Sequence, residues 1–342
     1  MMDESRDPAS SEPPRDHDRA RTTRRGLYAL GGGVTLFVFA VLIRDEFHHA
    51  PTPDAAVSAP GTPVSFTPPP MSKIPGGPEG DAIRHGLAIF ENTGTQASQF
   101  VGNGLACRNC HLDGGRKANS APMWAAWVSY PQYRSKNGKI NTMEDRLKGC
   151  FSYSMNAQDS PSGGPPKPGD PVYADLQTYF HWLAKGAPTD TKLKGAGFVK
   201  LKLTALGYDR SRGQAVYAQH CAACHGADGQ GRTDLNGRVV FPALWGPKSY
   251  NWGAGMAVVN NAAGFIKANM PLGAGNSLSD QQSWDAAAWI DSQERPKDPR
   301  QKGTVEENAK AFHAKEKTFY GKMVDGHLLG TGTAPPTRIA SR

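Results

Sequence analysis

One long apolar stretch lies near the amino terminus of this 342-residue chain, and amphipathic segments separated by polar loops follow it. Residues 26–43 contain no charged side chain and would measure about 27 Å as a helix, which matches the apolar core of a bilayer. Residues 1–25 are polar, with arginines just before the apolar stretch, whereas Asp45 and Glu46 follow it. This order predicts a disordered cytoplasmic tail over 1–25 and a transmembrane anchor over 26–43.

A cleaved signal peptide is the alternative interpretation of the apolar stretch. The small-residue sites that cleavage would need end at Ala50 and Ala59, and each is followed by proline. Because we expect proline to hinder cleavage, the sequence favours an anchor that is retained.

The composition changes after the anchor. Residues 44–80 are rich in Pro, Gly, Ser and Thr without a helical period, which predicts a semi-extended linker. Beyond it, residues 86–90 and 213–217 share a pattern, since both place an aromatic side chain two positions after an alanine on a predicted helix. This repeat indicates a duplicated module.

Each copy of the module also ends with an aromatic helix. Residues 179–183 precede Gly186 and Pro188 in the first copy, and residues 288–290 precede Pro296 in the second. The first and last helices of such a module would cross and pack together, so the predicted fold class is all-α. We place the two domains at 81–190 and 191–298 and a carboxyl-terminal tail at 299–342.

A five-residue motif occurs once in each predicted domain, as CRNCH at 107–111 and CAACH at 221–225. The two thiols of such a motif can each bond to one vinyl group of a haem, and the histidine that follows is held against the iron. A zinc ribbon is the competing interpretation. Its cysteine pairs lie roughly 15–20 residues apart, and here more than a hundred residues separate them. We therefore expect two covalently bound haem c groups in tandem cytochrome c-type domains, with the iron ligands and attachment residues Cys107, Cys110 and His111, and Cys221, Cys224 and His225.

The net charge of +8 lies outside the predicted tail, because six arginines balance six acids within residues 1–25. No nucleic-acid-binding motif accompanies this charge, so we expect a small anionic substrate or an acidic redox partner and no nucleic acid. Haem c is attached outside the cytoplasmic membrane. The predicted location is therefore the periplasmic side of the bacterial inner membrane, with the chain held there by the anchor.

The sixth iron ligand distinguishes an electron carrier from a catalyst. In the second domain Met270 precedes Pro271 in a loop, where a thioether can reach the iron, and Met256 is the alternative. In the first domain the sulfur-containing candidates are Met123, Met143, Met155 and Cys150. Of these, Cys150 is the one cysteine among the five that belongs to neither motif, so it is left without a cysteine partner.

The chain resembles the dihaem thiosulfate dehydrogenase family over roughly residues 75–300. The likeness is carried by short segments: CHLD at 110–113, YPQYR at 130–134, EDR at 144–146, GCF at 149–151, SMN at 154–156, CAACHG at 221–226 and NMP at 269–271. Because haem motifs are generic, the segment around Cys150 is the characteristic one.

The resemblance implies an activity and roles for several residues. Members of the family couple two thiosulfates into tetrathionate and release two electrons, and the reverse reaction stays open for this chain. In the family, the residue matching Cys150 is the distal ligand of the first haem and takes part in the chemistry, and the residue matching Arg146 lines the substrate site. The implied electron acceptor is a soluble cytochrome c, an iron–sulfur protein or a terminal oxidase. Tyr153, Ala157 and Asn269 depart from residues common in the family.

The charge of the substrate agrees with these roles. Thiosulfate is a dianion, so joining two of them requires cations that offset their repulsion. Arg134, Lys136, Arg146 and Lys148 are available, and arginine is preferred where oxyanions are held by paired hydrogen bonds. We assign catalysis to Cys150, Arg146 and Arg134. Two alternatives stay open: an electron-transfer cytochrome without a substrate site, and a haem subunit of a larger sulfur-oxidising complex.

Overall fold

Helices form most of the regular structure in the computed structural model, which describes residues 61–134 and 137–334. The predicted tail 1–25, the predicted anchor 26–43 and the first part of the linker lie outside these residues. Within the two described ranges, none of the helices combines the length and the apolar content that a bilayer crossing requires.

Among the described residues, seven α-helices are longer than four residues. They are α1 (Gly77–Glu91), α2 (Met123–Ser129), α3 (Met143–Gly149), α4 (Pro171–Leu183), α5 (Arg210–His220), α6 (Val259–Asn269) and α7 (Asp280–Asp291). Short α-helical turns lie at Thr93–Gln96, Leu112–Gly115, Ala222–His225 and Val305–Asn308, and π-helical turns at Cys150–Ser154 and Ala309–His313. Turns of 3-10 helix lie at Met71–Lys73, Ser98–Phe100, Cys107–Asn109, Ala157–Asp159 and Gly255–Ala257.

Three antiparallel hairpins accompany the helices in the described ranges. They pair β1 (Gln132–Arg134) with β2 (Lys139–Asn141), β3 (Arg232–Thr233) with β4 (Val239–Phe241), and β5 (Met323–Val324) with β6 (His327–Leu328). No strand among them exceeds three residues. The prediction of a helical fold is therefore confirmed, with these hairpins as small additions.

Capping residues determine where several helices begin. The Thr142 hydroxyl accepts a hydrogen bond from the Asp145 amide at 3.1 Å, and the Asp145 carboxylate accepts one from the Thr142 amide at 2.9 Å. Ser279 and Gln282 make the same reciprocal pair at the start of α7. Each such cap stabilises its helix by about 1 kcal/mol. Of these caps, the one at the start of α3 is the most relevant to the site, because α3 contains Arg146 and ends directly before Cys150.

Two helix crossings with the same geometry organise the two halves of the structure. A Cβ atom built on Gly86 of α1 would lie 2.9 Å from Tyr179 Cβ on α4 and would collide with the backbone of that helix. A Cβ atom built on Gly213 of α5 would lie 2.9 Å from Trp289 Cβ on α7, with the same backbone collision. Only glycine allows the helices to approach so closely. The repeat at 86–90 and 213–217 thus marks this crossing.

A separate apolar core fills each half. In the first, Phe90 packs edge-on against Phe180 with ring centroids 5.8 Å apart, and both side chains are buried. In the second, Tyr217 and Trp284 are buried with the alanine-rich faces of α6 and α7. Removing one of these buried rings would cost about 3–5 kcal/mol. The domain boundaries near 190 and 298 stay predictions.

Residues 61–76, which composition assigned to the linker, pack against the first half. Phe66 lies 5.5 Å from Trp124 between ring centroids, and Val64 pairs with Leu193 in an isolated β-bridge. The helix α1 begins at Gly77, four residues before the predicted start of the domain. The prediction of a loose linker up to residue 80 is therefore wrong for 61–80, because a few apolar side chains suffice to anchor a segment rich in proline.

The segment 299–334, named here the C-terminal segment, packs against the second half. Tyr320 meets Trp252 edge-on with centroids 5.6 Å apart, and Val305 and Leu329 join the same buried cluster. The Val259 amide that opens α6 donates to a carbonyl of this segment at 2.8 Å. The C-terminal segment therefore lies between the start of α6 and the solvent.

Candidate functional site

Each predicted attachment motif lies in one tight turn. The amides of His111 and His225 donate to the carbonyls of Cys107 and Cys221, both at 3.0 Å, so the two motifs are folded alike. Burial raises the pKa of Cys107 to about 12, with the hydrogen bond from Thr93 opposing it. A thiol of this kind lacks the low pKa of catalytic Cys-X-X-Cys pairs, which argues against a thiol–disulfide exchange site.

The two motif histidines have the same tautomer for the same reason. The Nδ1 atom of His111 lies 2.8 Å from the Ala121 carbonyl oxygen, and that of His225 lies 2.9 Å from the Pro242 carbonyl oxygen. A carbonyl only accepts, so Nδ1 carries the proton and Nε2 keeps its lone pair. Burial lowers the pKa of both imidazoles, to about 4 for His111. Both rings are therefore neutral and prepared to bind a metal through Nε2.

Two cavities of similar volume, 260 and 250 Å³, lie beside the two motifs, and both are mostly apolar. The first-half cavity is lined by the first motif and by all four sulfur-containing candidates: Met123, Met143, Cys150 and Met155. The second-half cavity is lined by the second motif together with Met256 and Met270. The structure thus places the predicted residues of each motif around its own cavity.

Arg146 and Cys150 lie together at the first-half cavity. Arg146 is on α3, and Cys150 begins the π-helical turn that continues it, so the four-residue spacing places both along one helical face. Both line the cavity. Attraction to Cys150 is the largest cause of a raised pKa at Arg146, whereas burial lowers it. No acceptor among residues 61–134 and 137–334 is within hydrogen-bonding distance of the Arg146 guanidinium, which leaves it available for an anion.

Two buried asparagines hold the π-helical turn from outside. The Nδ2 atom of Asn251 donates to the Ser152 carbonyl at 2.9 Å, and that of Asn103 donates to the Ser154 carbonyl at 2.8 Å. The Asn251 amide donates to the remaining carbonyl between them at 3.1 Å. A π turn leaves carbonyls without their usual helical partners, and these bonds replace them. Asn251 belongs to the second half, so the second half positions the turn that begins at Cys150.

The other predicted cations are placed differently. Arg134, on the hairpin strand β1, is exposed but lines the first-half cavity. Lys148 is exposed and is not among the residues that line this cavity. Lys136 lies outside the described residues. Of the predicted cations that the structure describes, Arg134 and Arg146 are therefore the two at the cavity wall.

Lys267, a further side chain near Met270 that could ligate iron, does not line the second-half cavity. Its ammonium group donates to the Leu278 carbonyl at 2.7 Å and lies 3.1 Å from the Asp280 carboxylate. Met270 directly follows α6 and lines the cavity, as does Met256 in the turn before α6. The geometry thus keeps the two methionines as candidates and moves the lysine away.

The two cavities adjoin each other. Leu105, Cys110, Tyr250 and Met256 line both of them, so a group in one cavity is separated from a group in the other by single side chains. Tyr250 is buried and stacks over the Arg295 guanidinium at 4.5 Å. Such proximity suits the passage of electrons between two redox groups.

Comparison with known proteins connects this geometry to a family. The model of the family described as cytochrome c oxidase, cbb3-type, subunit III, matches residues 209–290. The chain is 48% identical to the thiosulfate dehydrogenase of Thiomonas intermedia (strain K12), over 84% of this chain and 90% of that protein. It is 47% identical to the thiosulfate dehydrogenase of Stutzerimonas stutzeri (strain A1501), over 78% of this chain and 85% of that one.

The chain belongs to the thiosulfate dehydrogenase family. The resemblance inferred from the segments around Cys150 is thus confirmed. A solved thiosulfate dehydrogenase from Marichromatium purpuratum, in its as-isolated form, superposes with a TM-score of 0.75 at 52% identity. This match covers 79% of the present chain but 58% of the length of that one.

Family membership makes the chain a cytochrome c-type oxidoreductase and implies haem c. The second motif, Cys221 to His225, lies inside the matched cytochrome region 209–290. The residues present fit such a group, since a neutral imidazole with a free Nε2 and two thiols face each mostly apolar cavity. The sequence had no signal for Asn103 and Asn251, because their contacts lie far away along the chain.

Proposed function

We propose that the chain is a dihaem c-type cytochrome that oxidises two thiosulfates to tetrathionate and passes two electrons to an external acceptor. The observation that carries this proposal is the placement of Cys150 and Arg146 in the wall of the first-half cavity, next to a second cavity with its own motif. Relatives named thiosulfate dehydrogenase support the choice of substrate.

The proposed cofactors are two haem c groups, one in each cavity. Cys107 and Cys110 would attach the first, and His111 and Cys150 would hold its iron. The second would be attached and ligated by the corresponding residues of the other motif and by one methionine: Cys221, Cys224, His225 and Met270. When bound, each iron accepts one electron and passes it on.

The reaction needs no proton, and its further reactant is the external acceptor, which takes up the two electrons. One sulfur–sulfur bond forms between the outer sulfurs of two thiosulfates, each thiosulfate gives up one electron, and no atom leaves. Two one-electron groups match this stoichiometry. Because the same atoms and electrons suffice in reverse, tetrathionate reduction belongs to the proposal as well.

The negative charge of the two thiosulfates is the basis for the roles we propose for Arg146 and Arg134. Arg146 would hold the sulfonate oxygens of the first thiosulfate beside the Cys150 sulfur, where that thiosulfate is oxidised. Arg134, which reaches the same cavity from the hairpin β1–β2, would offset the charge of the second dianion. Inside a mostly apolar cavity such fixed charges act more strongly than in water.

The second-half cavity would be the exit for electrons. A methionine ligand raises the potential of a haem, and a thiolate lowers it, so electrons would move from the first cavity to the second. The proposed acceptor is a soluble cytochrome c, an iron–sulfur protein or a terminal oxidase. The proposed location is the periplasmic side of the inner membrane, with residues 26–43 as a retained anchor.

A stoichiometric assay with the purified holoprotein tests the proposal. We expect thiosulfate to reduce ferricyanide, with two ferricyanides consumed for each tetrathionate formed and no sulfate produced. If the isolated chain does not turn over thiosulfate, the electron-carrier and complex-subunit interpretations take the place of the enzyme.

A further inference from the structure

A cavity of about 730 Å³ lies next to the first-half cavity. Tyr130, Arg134, Arg146 and Ser154 line both, so the two spaces meet at the candidate anion site. We name the larger space the outer chamber. Its volume corresponds to on the order of twenty water molecules. One thiosulfate at Arg146 therefore leaves the chamber free for a second solute.

Cations outnumber acids on the described walls of the outer chamber. The cationic side chains there are Arg134, Lys139, Arg146, Lys148 and Arg300. The acidic side chains are Asp145 and Glu316, and both are engaged within the protein. Asp145 accepts from Thr142, and Glu316 lies 2.8 Å from Nδ1 of His313. The chamber thus carries an excess of positive charge.

Arg300 differs from the other chamber cations because it is fixed in place. Its Nε and Nη2 atoms donate to the two oxygens of Asp298 at 3.0 and 2.6 Å. Its guanidinium lies 4.4 Å from the ring centroid of Phe312 and 5.2 Å from that of Tyr153, so two aromatic rings flank it. Within the described residues, its Nη1 atom has no hydrogen-bond acceptor. Arg300 therefore presents one edge to the chamber at little cost in side-chain entropy.

The carboxylate that holds Arg300 is not paired with Arg300 alone. Asp298 is buried and also lies 2.9 Å from Nε2 of His313. Burial disfavours its charge, but hydrogen bonds from His313 and Arg300 hold the pKa of Asp298 well below its usual range. Burial lowers the pKa of His313, yet its bonds to Asp298 and Glu316 raise it overall. One carboxylate is thus shared between the guanidinium of Arg300 and the imidazole of His313.

We infer that the outer chamber is the binding subsite of the second thiosulfate and of the far sulfonate of tetrathionate, with Arg300 as its fixed cation. This inference rests on the proposed function. Arg146 and Arg300 come from distant parts of the sequence and line one continuous space, as a ligand with two anionic ends requires. Lys139 and Lys148 are exposed and flexible, so they attract anions towards the chamber without fixing their position.

The assignment gives the C-terminal segment a function. Arg300, Phe312 and Glu316 all belong to it and form the outer wall of the chamber. The first-half cavity alone offers Arg134 and Arg146 to two dianions, and the C-terminal segment adds the fixed charge that a second sulfonate needs. The segment is therefore a part of the substrate site as well as a cover for the second half.

Equilibrium binding without turnover tests the inference in the holoprotein. Oxidised protein has no electrons to reduce tetrathionate, and reduced protein cannot accept electrons from thiosulfate, so both ligands can be titrated by calorimetry. In Arg300→Gln we expect tetrathionate affinity to fall roughly ten- to a hundredfold, the range usual for one hydrogen bond to a charged group. The affinity of the tighter thiosulfate site should stay unchanged. Arg300→Lys, which keeps the charge, should recover part of the loss.

Lys310→Gln is the matched control, because Lys310 is exposed on the same segment and does not line the chamber. It should leave both affinities unchanged. A structural role of Arg300 alone would weaken both ligands equally or lower only the thermal stability, and either result overturns the subsite, as does unchanged tetrathionate binding. Failure of wild-type protein to oxidise thiosulfate would instead remove the proposed function.

Discussion

In the first half α1 crosses α4 at Gly86, and in the second half α5 crosses α7 at Gly213, with the same clearance between the helices. The motif turns and histidine tautomers also correspond. The halves differ between the motif and the last helix. Both halves contain a hairpin and a helix there, but in the first half they bring Arg134 and Arg146 to the cavity, whereas Arg108 is the only Arg or Lys among the described residues lining the second cavity. In the proposed function, the common frame holds a cofactor in each half, and the variable segment determines which side chains lie beside it.

The candidate distal ligands show the same contrast at a smaller scale. Cys150 directly follows α3, and Met270 directly follows α6. The chain continues from Cys150 into a π-helical turn, whose carbonyls Asn103 and Asn251 satisfy. At Met270 the backbone becomes extended, with φ −117° and ψ 146°. A sulfur side chain can thus follow a helix either through a π turn or through extended backbone. Of these two sites, only the one at the π turn has an arginine of the preceding helix at the same cavity.

Replacing Cys150 by methionine, the type of ligand proposed for the second haem, should produce the largest effect. In Cys150→Met we expect a folded protein with both haem groups, since methionine also ligates iron, and a higher potential at the first haem. Thiosulfate oxidation should fall by about a thousandfold or more, as is usual when a group that reacts with substrate is removed. Steady-state turnover and a redox titration measure the two effects. Near-normal turnover in this variant would favour the electron-carrier interpretation.

The features of this comparison that depend on short distances along the chain could be predicted from the sequence. The two motifs and the spacing between Arg146 and Cys150 are local, and the structure places each motif in one tight turn and both of these residues at the first-half cavity. The repeat at 86–90 and 213–217 is also visible in the sequence, as an aromatic side chain two positions after an alanine, and the structure shows that the glycine opening each copy lies at a close helix crossing.

The remaining features depend on contacts between distant segments. Asn251 bonds to a turn about a hundred residues earlier, and Arg300 faces a chamber that residues between 130 and 154 of the first half also line. Phe66 fixes a proline-rich segment that composition alone describes as a linker. Asparagine and arginine on polar stretches usually lie in solvent, so a single sequence contains no pattern that marks these residues.

Removing the arginine that distinguishes the first cavity should have the next largest effect. Arg146→Ala should lower kcat/KM for thiosulfate roughly 30- to 900-fold. This corresponds to an activation free energy higher by about 2–4 kcal/mol, the cost usual for one electrostatic donor in an active site. Both haem spectra should stay nearly intact, because Arg146 is not a ligand. Lys148→Ala, two positions away on the same helix, should change kcat/KM much less, since its exposed ammonium is solvated. Equal losses in the two variants would assign the effect to net charge.

The smallest effect is expected from the second cavity, because in the proposed function it handles electrons and not substrate. Met270→Gly should remove the methionine-to-iron charge-transfer band of the oxidised protein and lower the potential of that haem. Each ~60 mV of this decrease makes electron arrival there about tenfold less favourable. Turnover should therefore fall, while thiosulfate binding to reduced protein stays as in wild type. Met256→Leu is the matched control, since Met256 lines the same cavity and leucine keeps its apolar volume. If Met256→Leu loses the band and Met270→Gly keeps it, the sixth ligand is Met256. In that case the electron exit would lie at the wall that the two cavities share, and the second half would differ from the first even more than the present assignment implies.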